Sequence, residues 1–258
     1  MNRWPEIRAR SFDGSIDRPV ALENLLSRKE QEQLRSIATV LEFNRGKTPI
    51  FSDGEEARFV YLVDEGVIRI SRCAESGQRQ ILAFSVPGDL MGLPDGGRYV
   101  NSAETVSAAR IYRLPWQRMQ QMMLADPQFQ LNLLMKVVHD FRQAQMRIMT
   151  LGQQNIYQRL ASFILDFLGI PEFYDEKRSL LKLPVNRFDL ADYLGTAPES
   201  AARAFARLES QGLVRRLTSR TIEILDIDGL QLLRRGPRRG HSAETHDRIP
   251  PSLQEHNA

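Results

Sequence analysis

The sequence predicts an α+β chain in three parts: a small barrel or sandwich of short strands, one long helix, and a winged helix-turn-helix. Three observations predict it. Between residues 48 and 114, stretches such as "RFVYLVDEGVIRISRC" and "QRQILAFSV" alternate apolar and polar residues. β-Branched and aromatic side chains are enriched there, with Gly-centred turn signals between the runs. Next, Leu131, Leu134, Val138, Phe141, Gln145 and Ile148 step by three and four, the spacing of a coiled-coil seam. Last, "DLADYLGTAPESAARAFARLESQGLVRR", residues 189–216, holds two helical segments only a few residues apart.

Composition narrows the function classes. The 258 residues allow about two modest domains, and 26% of them are charged. No apolar run approaches the roughly 20 residues of a membrane span. The N-terminal stretch has no apolar signal core, and one cysteine permits no internal disulfide. A reducing, cytoplasmic setting is therefore expected. The formal charge is +3 and the pI is near 9.2, which permits a polyanionic partner. Four His and one Cys leave little for a metal site, and His241, His246 and His256 lie in the polar C-terminal stretch. No Cys-x-x-Cys, His-Glu-x-x-His, Gly-Lys-Ser/Thr or Gly-x-Ser-x-Gly occurs. An enzyme is a poor fit, and no cofactor or metal is expected.

The elements follow in order. Residues 1–20 are polar and irregular, and a flexible arm is expected there. "LSRKEQEQLRSIATVLEF" places Leu26, Leu34, Ile37 and Leu41 at helical spacing, with Ser27 as N-cap. The barrel unit is expected over 21–124. Asp126-Pro127 opens a helix, with Asp as cap and Pro at the first position. The seam helix, 125–152, suits a partner helix across a dimer, Gln145 helping to fix register; packing on its own domain is the plainer alternative. A further helix stops near Pro171, and "FYDEKRSLLKLPV" reads as a charged loop or hairpin. The last folded unit spans 153–228. Residues 229–258 have Pro, Gly and charge without periodicity, and a disordered tail is expected.

Within residues 189–216, Asn186 and Asp189 resemble a capping box, with Phe188, Leu190, Ala191 and Leu194 as the apolar face. Gly195 allows a left-handed cap, and Pro198 suits the next first turn. The second helix then buries Ala201, Ala202 or Phe205, and Leu208. "GLVRRLTSRTIEIL" reads as a hairpin with its tip near residues 217–219. Glu199, Ser200, Arg203 and Arg207 fall on the outer face. Arg can donate twice to guanine and Glu can accept from cytosine, so Glu199, Arg203 and Ser200 are the candidate base contacts. Arg187, Thr196, Arg207, Arg215, Arg216 and Arg220 are the candidate backbone contacts on double-stranded DNA. The plainer alternatives are a Glu199–Arg203 salt bridge on a solvated face and a winged helix that binds protein.

These residues resemble the CRP/FNR transcription regulators. Gly195 stands at the turn, and Glu199 and Arg203 flank a small pair. Leu208-Glu209 and Gly212-Leu213 follow, while "FVYLVDEGVIRI" and "VPGDLMGL" resemble that family's cyclic-nucleotide-binding-type barrel (a jelly roll). The resemblance covers nearly everything from Leu22 to Asp228 and looks closest to the FixK/FNR-like branch. It implies a homodimer that binds a palindromic site with a TGA-like half-site core, and contact with RNA polymerase as an activator through the loop at residues 174–179. The family's flanking base contacts are not matched, since Pro198 and Ala202 are apolar.

The resemblance also bears on the signal. Where cyclic-nucleotide binders place a ribose-holding Glu after Gly, this chain has Gly92-Leu93; where they place a phosphate-pairing Arg, it has Asn101-Ser102. A degenerate pocket at Gly92, Leu93, Asn101 and Ser102, without ordinary cAMP binding, is expected. Arg98 lies in a Gly-rich loop and is expected in solvent. No cysteine precedes Cys73, so an FNR-type iron–sulfur centre is not expected. Cys73 reads as barrel-filling or incidental, and His139 as a polar residue beside the seam. The alternative function is an effector-binding module, for haem or another small ligand, acting mainly through protein contacts.

Overall fold

The computed structural model of the chain describes residues 8–9, 23–24, 26–77 and 79–236. Strand β1 (Arg8–Ala9) pairs antiparallel with β2 (Glu23–Asn24). Two residues of the expected flexible arm are thus paired; the rest of 1–20 lies outside the described residues. Helix α1 (Arg28–Ile37) opens on a full capping box: Ser27 Oγ accepts from Glu30 N, and Ser27 N donates to a Glu30 carboxylate oxygen at 2.6 Å. The helix ends at Ile37, earlier than the helical spacing predicted. Leu41 belongs instead to β3 (Thr39–Phe43), where antiparallel pairing with residues 109–113 outweighs the local pattern.

The strands β4 (Pro49–Phe51), β5 (Phe59–Glu65), β6 (Ile68–Cys73), β7 (Arg79–Ser85), β8 (Leu90–Met91), β9 (Ser102–Thr105) and β10 (Ala109–Pro115) complete the barrel. They form two antiparallel four-stranded sheets, ordered β3-β10-β5-β8 and β4-β9-β6-β7. Between them lie Phe51, Tyr61, Val63, Ile68, Met91, Tyr99 and Ile111. The outer face of the first sheet is covered as well. Val60, Leu62, Tyr112 and Leu114 pack there against Leu34, Met119, Phe129 and Leu133. "FVYLV" is therefore buried on both faces, which is why it reads as a continuous apolar run.

Helix α2 (Trp116–Ala125) supplies Met119 to that layer; the strand-rich texture of the region hid it. Helix α3 (Pro127–Gln153) begins as predicted, with Asp126 Oδ1 accepting from the backbone of Gln128 and Phe129. Its buried residues are Phe129, Leu133 and Lys136. The seam residues Leu131, Leu134, Val138, Phe141, Gln145 and Ile148 are all exposed, so the plainer alternative of packing within their own domain does not describe them.

Helix α4 (Ile156–Leu168) follows after two non-helical residues and carries a second capping box at Asn155 and Gln158. The charged stretch is a hairpin of β11 (Tyr174–Asp175) and β12 (Leu180–Lys182). Next come α5 (Arg187–Leu194), α6 (Pro198–Ser210), β13 (Val214–Arg216), β14 (Thr221–Ile224) and α7 (Ile227–Arg235). The last helix corrects the expected tail. Asp226 caps it, Leu230 is fully buried, and it packs on α4. Its apolar turns are too few for periodicity alone to reveal. Residues 237–258 lie outside the described residues. Among those described, no helix is long and apolar enough to cross a membrane.

Candidate DNA interface

Helix α5 starts at Asn186, whose side chain accepts from Phe188 N and Asp189 N. The reciprocal half of the expected capping box is missing. Asp189 is nearly fully buried and turns its carboxylate to Arg69, Arg79 and the Asn186 amide instead. Leu190, Ala191 and Leu194 are buried as predicted, but Phe188 is exposed under the Arg187 guanidinium, 4.7 Å from ring centre. Gly195 adopts φ +65°, ψ 45°. A Cβ there would meet nothing closer than 3.6 Å, so only the left-handed backbone asks for glycine. Thr196, half-buried, donates its N–H to Ala191 O at 3.0 Å.

Helix α6 packs on α5, and the small residues Ala191 and Ala201 are both buried in the core the two helices share. Ala204, Phe205 and Leu208 continue its inner face, while Ala202 points outward. On the outer face Glu199 and Arg203 are exposed and Ser200 is half-buried. Arg203 Nη2 donates to Ser200 Oγ at 3.0 Å. Among the described residues Glu199 makes no ion pair, so its carboxylate and the guanidinium of Arg203 do not neutralise each other.

The surrounding cations divide into two sets. Arg207 stacks on Tyr157 at 4.2 Å, Arg215 pairs with Glu223 at 3.0 Å, and Arg216 pairs with Glu209 at 2.7 Å. The hydrogen bond from Arg216 holds the Glu209 carboxyl below its ordinary range. These three arginines brace the hairpin and α6. Arg220, near the hairpin tip, has no side-chain partner among the described residues, and Arg187 projects from the start of α5. Sequence reasoning missed Arg159, which ties the junction together. Its Nη1 donates to Leu194 O at 3.0 Å, its Nη2 to Leu151 O at 2.6 Å and its Nε to Gln154 O at 2.9 Å.

The barrel pocket is a separate cavity of about 630 Å³, between β7, the inner face of α3 and Tyr193. Gly92, Leu93 and Asn101 line it; Ser102 does not, and its hydroxyl accepts from Asp53 N at 3.0 Å. Arg98 is exposed and donates to Gly54 O at 2.6 Å, as expected of its loop. Gly92 sits under an aromatic stack in which the rings of Phe51 and Tyr99 are 4.2 Å apart. Burial pushes the Tyr61 hydroxyl, in the same stack, to a higher pKa than usual. Asn101 and Leu93 bring neither a guanidinium nor a carboxylate to the cavity, and its arginine, Arg147, comes from α3 instead.

Deeper along α3, Lys136 is buried and pairs with Asp140 at 2.5 Å. Arg147 stacks on Tyr193 at 3.7 Å, and its Nε and Nη2 are buried without a hydrogen-bond acceptor among the described residues. Burial pushes its pKa down. Cys73 is exposed at the end of β6, which overturns a barrel-filling role, and His139 is half-buried. Among the described residues no group of three His, Cys, Asp or Glu is placed to hold a metal ion.

Comparison with known proteins agrees with this geometry. Residues 40–126 match the cyclic nucleotide-binding domain family and residues 158–233 the Crp-like helix-turn-helix domain family. The nitrogen fixation regulation protein FixK of Azorhizobium caulinodans is 31% identical over 233 residues, 90% of this chain and 89% of that protein. The transcriptional activatory protein AadR of Rhodopseudomonas palustris is 28% identical over 76% of this chain and 82% of its own length. The solved structure of FixK2 from Bradyrhizobium japonicum matches with a TM-score of 0.70 and 27% identity, covering 75% of this chain and 96% of that one. The paired barrel and helix-turn-helix, the long helix between them and these relatives together place the chain in the CRP/FNR family of DNA-binding transcription regulators, among its FixK-type members.

Proposed function

We propose that the chain acts as a homodimer that reads a palindromic site with a TGA-like half-site core and activates transcription. The observation that carries the base-reading part is the outer face of α6. Glu199 and Arg203 stand one turn apart, exposed and unpaired with each other, so both keep their hydrogen-bonding capacity for bases. Ser200 holds the Arg203 fork, and it can add a base contact of its own. Arg187, Thr196 and Arg220 offer phosphate contacts around the helix. Arg207, Arg215 and Arg216 contribute positive potential while bracing the fold.

The exposed seam on α3 supports the dimer, and a two-fold pair of α6 helices suits half-sites one helical turn apart. The hairpin β11–β12 and the loop at residues 174–179 are the proposed RNA polymerase contact, by likeness to the family. Selection of bound sequences from a random duplex pool tests the reading. A palindrome with a TGA-like core is expected, and indiscriminate binding overturns it. A second reading rests on the cavity. Arg147 lacks a hydrogen-bonding anion and borders the cavity beside Tyr193, so a small acidic effector there would act on α5. Calorimetric titration with small carboxylates and phosphates tests it: saturable binding lost in Arg147→Met supports it, and no heat for either class overturns it.

A further inference from the structure

We propose that Arg69 and Arg79 of the barrel are positioning residues for DNA reading, an inference that rests on the proposed palindrome-binding function. Both reach from the outer side of the sheet β4-β9-β6-β7 to α5, more than a hundred residues away in sequence. Arg69 Nη1 donates to Asp189 Oδ1 at 2.7 Å, and its Nη2 pairs with Glu104 of β9 at 2.6 Å. Arg79 Nη2 lies 3.1 Å from the same Asp189 oxygen and 2.6 Å from Asp192 Oδ2. Gln80 Nε2 adds a bond to Asp192 O at 2.7 Å. The side chains of Arg69 and Asp189 are only 6% and 3% exposed. Charges so desolvated must keep their partners, because a buried ion left alone loses its water and gains nothing in exchange.

The connection to DNA is geometric. Helix α5 carries the two carboxylates on one face, three residues apart, and α6 packs on α5 around a shared core that includes Ala191 and Ala201. The only covalent link from α3 to the reading unit passes through two non-helical residues, Gln154 and Asn155. Arg159 ties that joint to the C-terminal end of α5, bonding Leu151 O and Leu194 O, but it makes no bond to the barrel. Arg69 and Arg79 grip α5 from the barrel, at Asp189 and Asp192. Phe84, 5.2 Å from the Tyr193 ring, adds an apolar contact on the same side. The barrel shares one core with α1–α3 through Leu34, Met119, Phe129 and Leu133. The two arginines therefore set where α6 stands relative to the seam, and so the separation of the two α6 helices in a dimer.

The test uses the full-length chain and the palindrome selected above. Affinity is measured for that palindrome, for versions with one or two base pairs added between half-sites, and for a single half-site. Arg79→Met is expected to lower palindrome affinity by at least about tenfold, because two linked contacts lose their matched spacing. It should also flatten the dependence on spacing and leave the half-site unchanged. Arg69→Met should do the same more strongly, and Arg69→Lys should restore part of the loss. Arg203→Ala, by contrast, should weaken half-site and palindrome alike. If Arg69→Met fails to fold, Arg79→Met decides alone, since Arg79 is one-third exposed. Wild-type spacing preference in a folded Arg79→Met, or equal loss on half-site and palindrome, overturns the proposal. Wild-type protein that selects no sequence overturns the DNA reading itself and this inference with it.

Discussion

Replacing Phe141 with alanine tests the seam most directly. The side chain is 62% exposed on α3, so within one chain it contributes little packing. A phenylalanine side chain has about 200 Å² to bury. The exposed share is about 120 Å², worth about 3 kcal/mol when a partner covers it. Alanine retains part of that, so about 2 kcal/mol is lost per copy. A two-fold interface holds two copies, and about 4 kcal/mol corresponds to roughly a thousandfold weaker dimer. Sedimentation velocity across a dilution series reads the change, and circular dichroism should find the helix content intact. Leu133→Ala is the control. That leucine is buried against the barrel, so its loss should cost about 2–5 kcal/mol of fold stability while leaving the dissociation constant of the folded protein alone. A Phe141→Ala protein that dimerises as tightly as wild type refutes the reasoning, as does a wild-type chain that stays monomeric.

Other predictions follow from the site. Arg203→Ala should cost about 1–3 kcal/mol on the selected palindrome and relax its specificity, with a much smaller loss on random duplex; equal losses in a mobility-shift titration contradict base reading. Gly195→Ala should destabilise the fold by about 1–2 kcal/mol through its left-handed backbone alone, read as a lower midpoint in urea. Cyclic AMP should produce no saturable stabilisation in a thermal-shift titration, and a saturating micromolar response contradicts the pocket assignment. Glu209→Gln isolates the hairpin brace. The Glu209 pKa is depressed, so its contribution is present above about pH 4.5 and fades as the pH falls through the lower folded value. The Tm difference between wild type and Glu209→Gln should therefore shrink below that pH and stay flat above it.

Local rules made much of this legible. Ser27, Asp126, Asn186, Gly195 and Pro198 declare helix ends through chemistry confined to a few residues, and each stands at the end it marks. The outer face of α6 was legible for the same reason, since spacing alone puts Glu199 and Arg203 together. What escaped depends on residues distant in the chain. Leu41 follows a helical spacing but pairs with β10. Arg69 alternates with Ile68 and Ile70 as a solvent-facing strand residue would, yet α5 covers it. Asp189 looks like a cap partner until Arg69 and Arg79 come within reach. Helix α7 is short, and its burial on α4 gives it a stability that its composition does not announce. Phe188 misled because an apolar residue beside a cap was assigned to the nearest core.

Val67 and Val86 of the barrel lie in one hydrophobic cluster with Phe163, Leu190 and Leu208 of the reading unit. The two halves of the chain are thus not interchangeable modules. A chimera that grafts another regulator's helix-turn-helix onto this barrel would inherit a mismatched seat, however well its recognition helix suits the new operator. Retargeting by exchanging only the outer surface of α6 keeps that seat whole, and is the sounder route to a regulator of altered specificity.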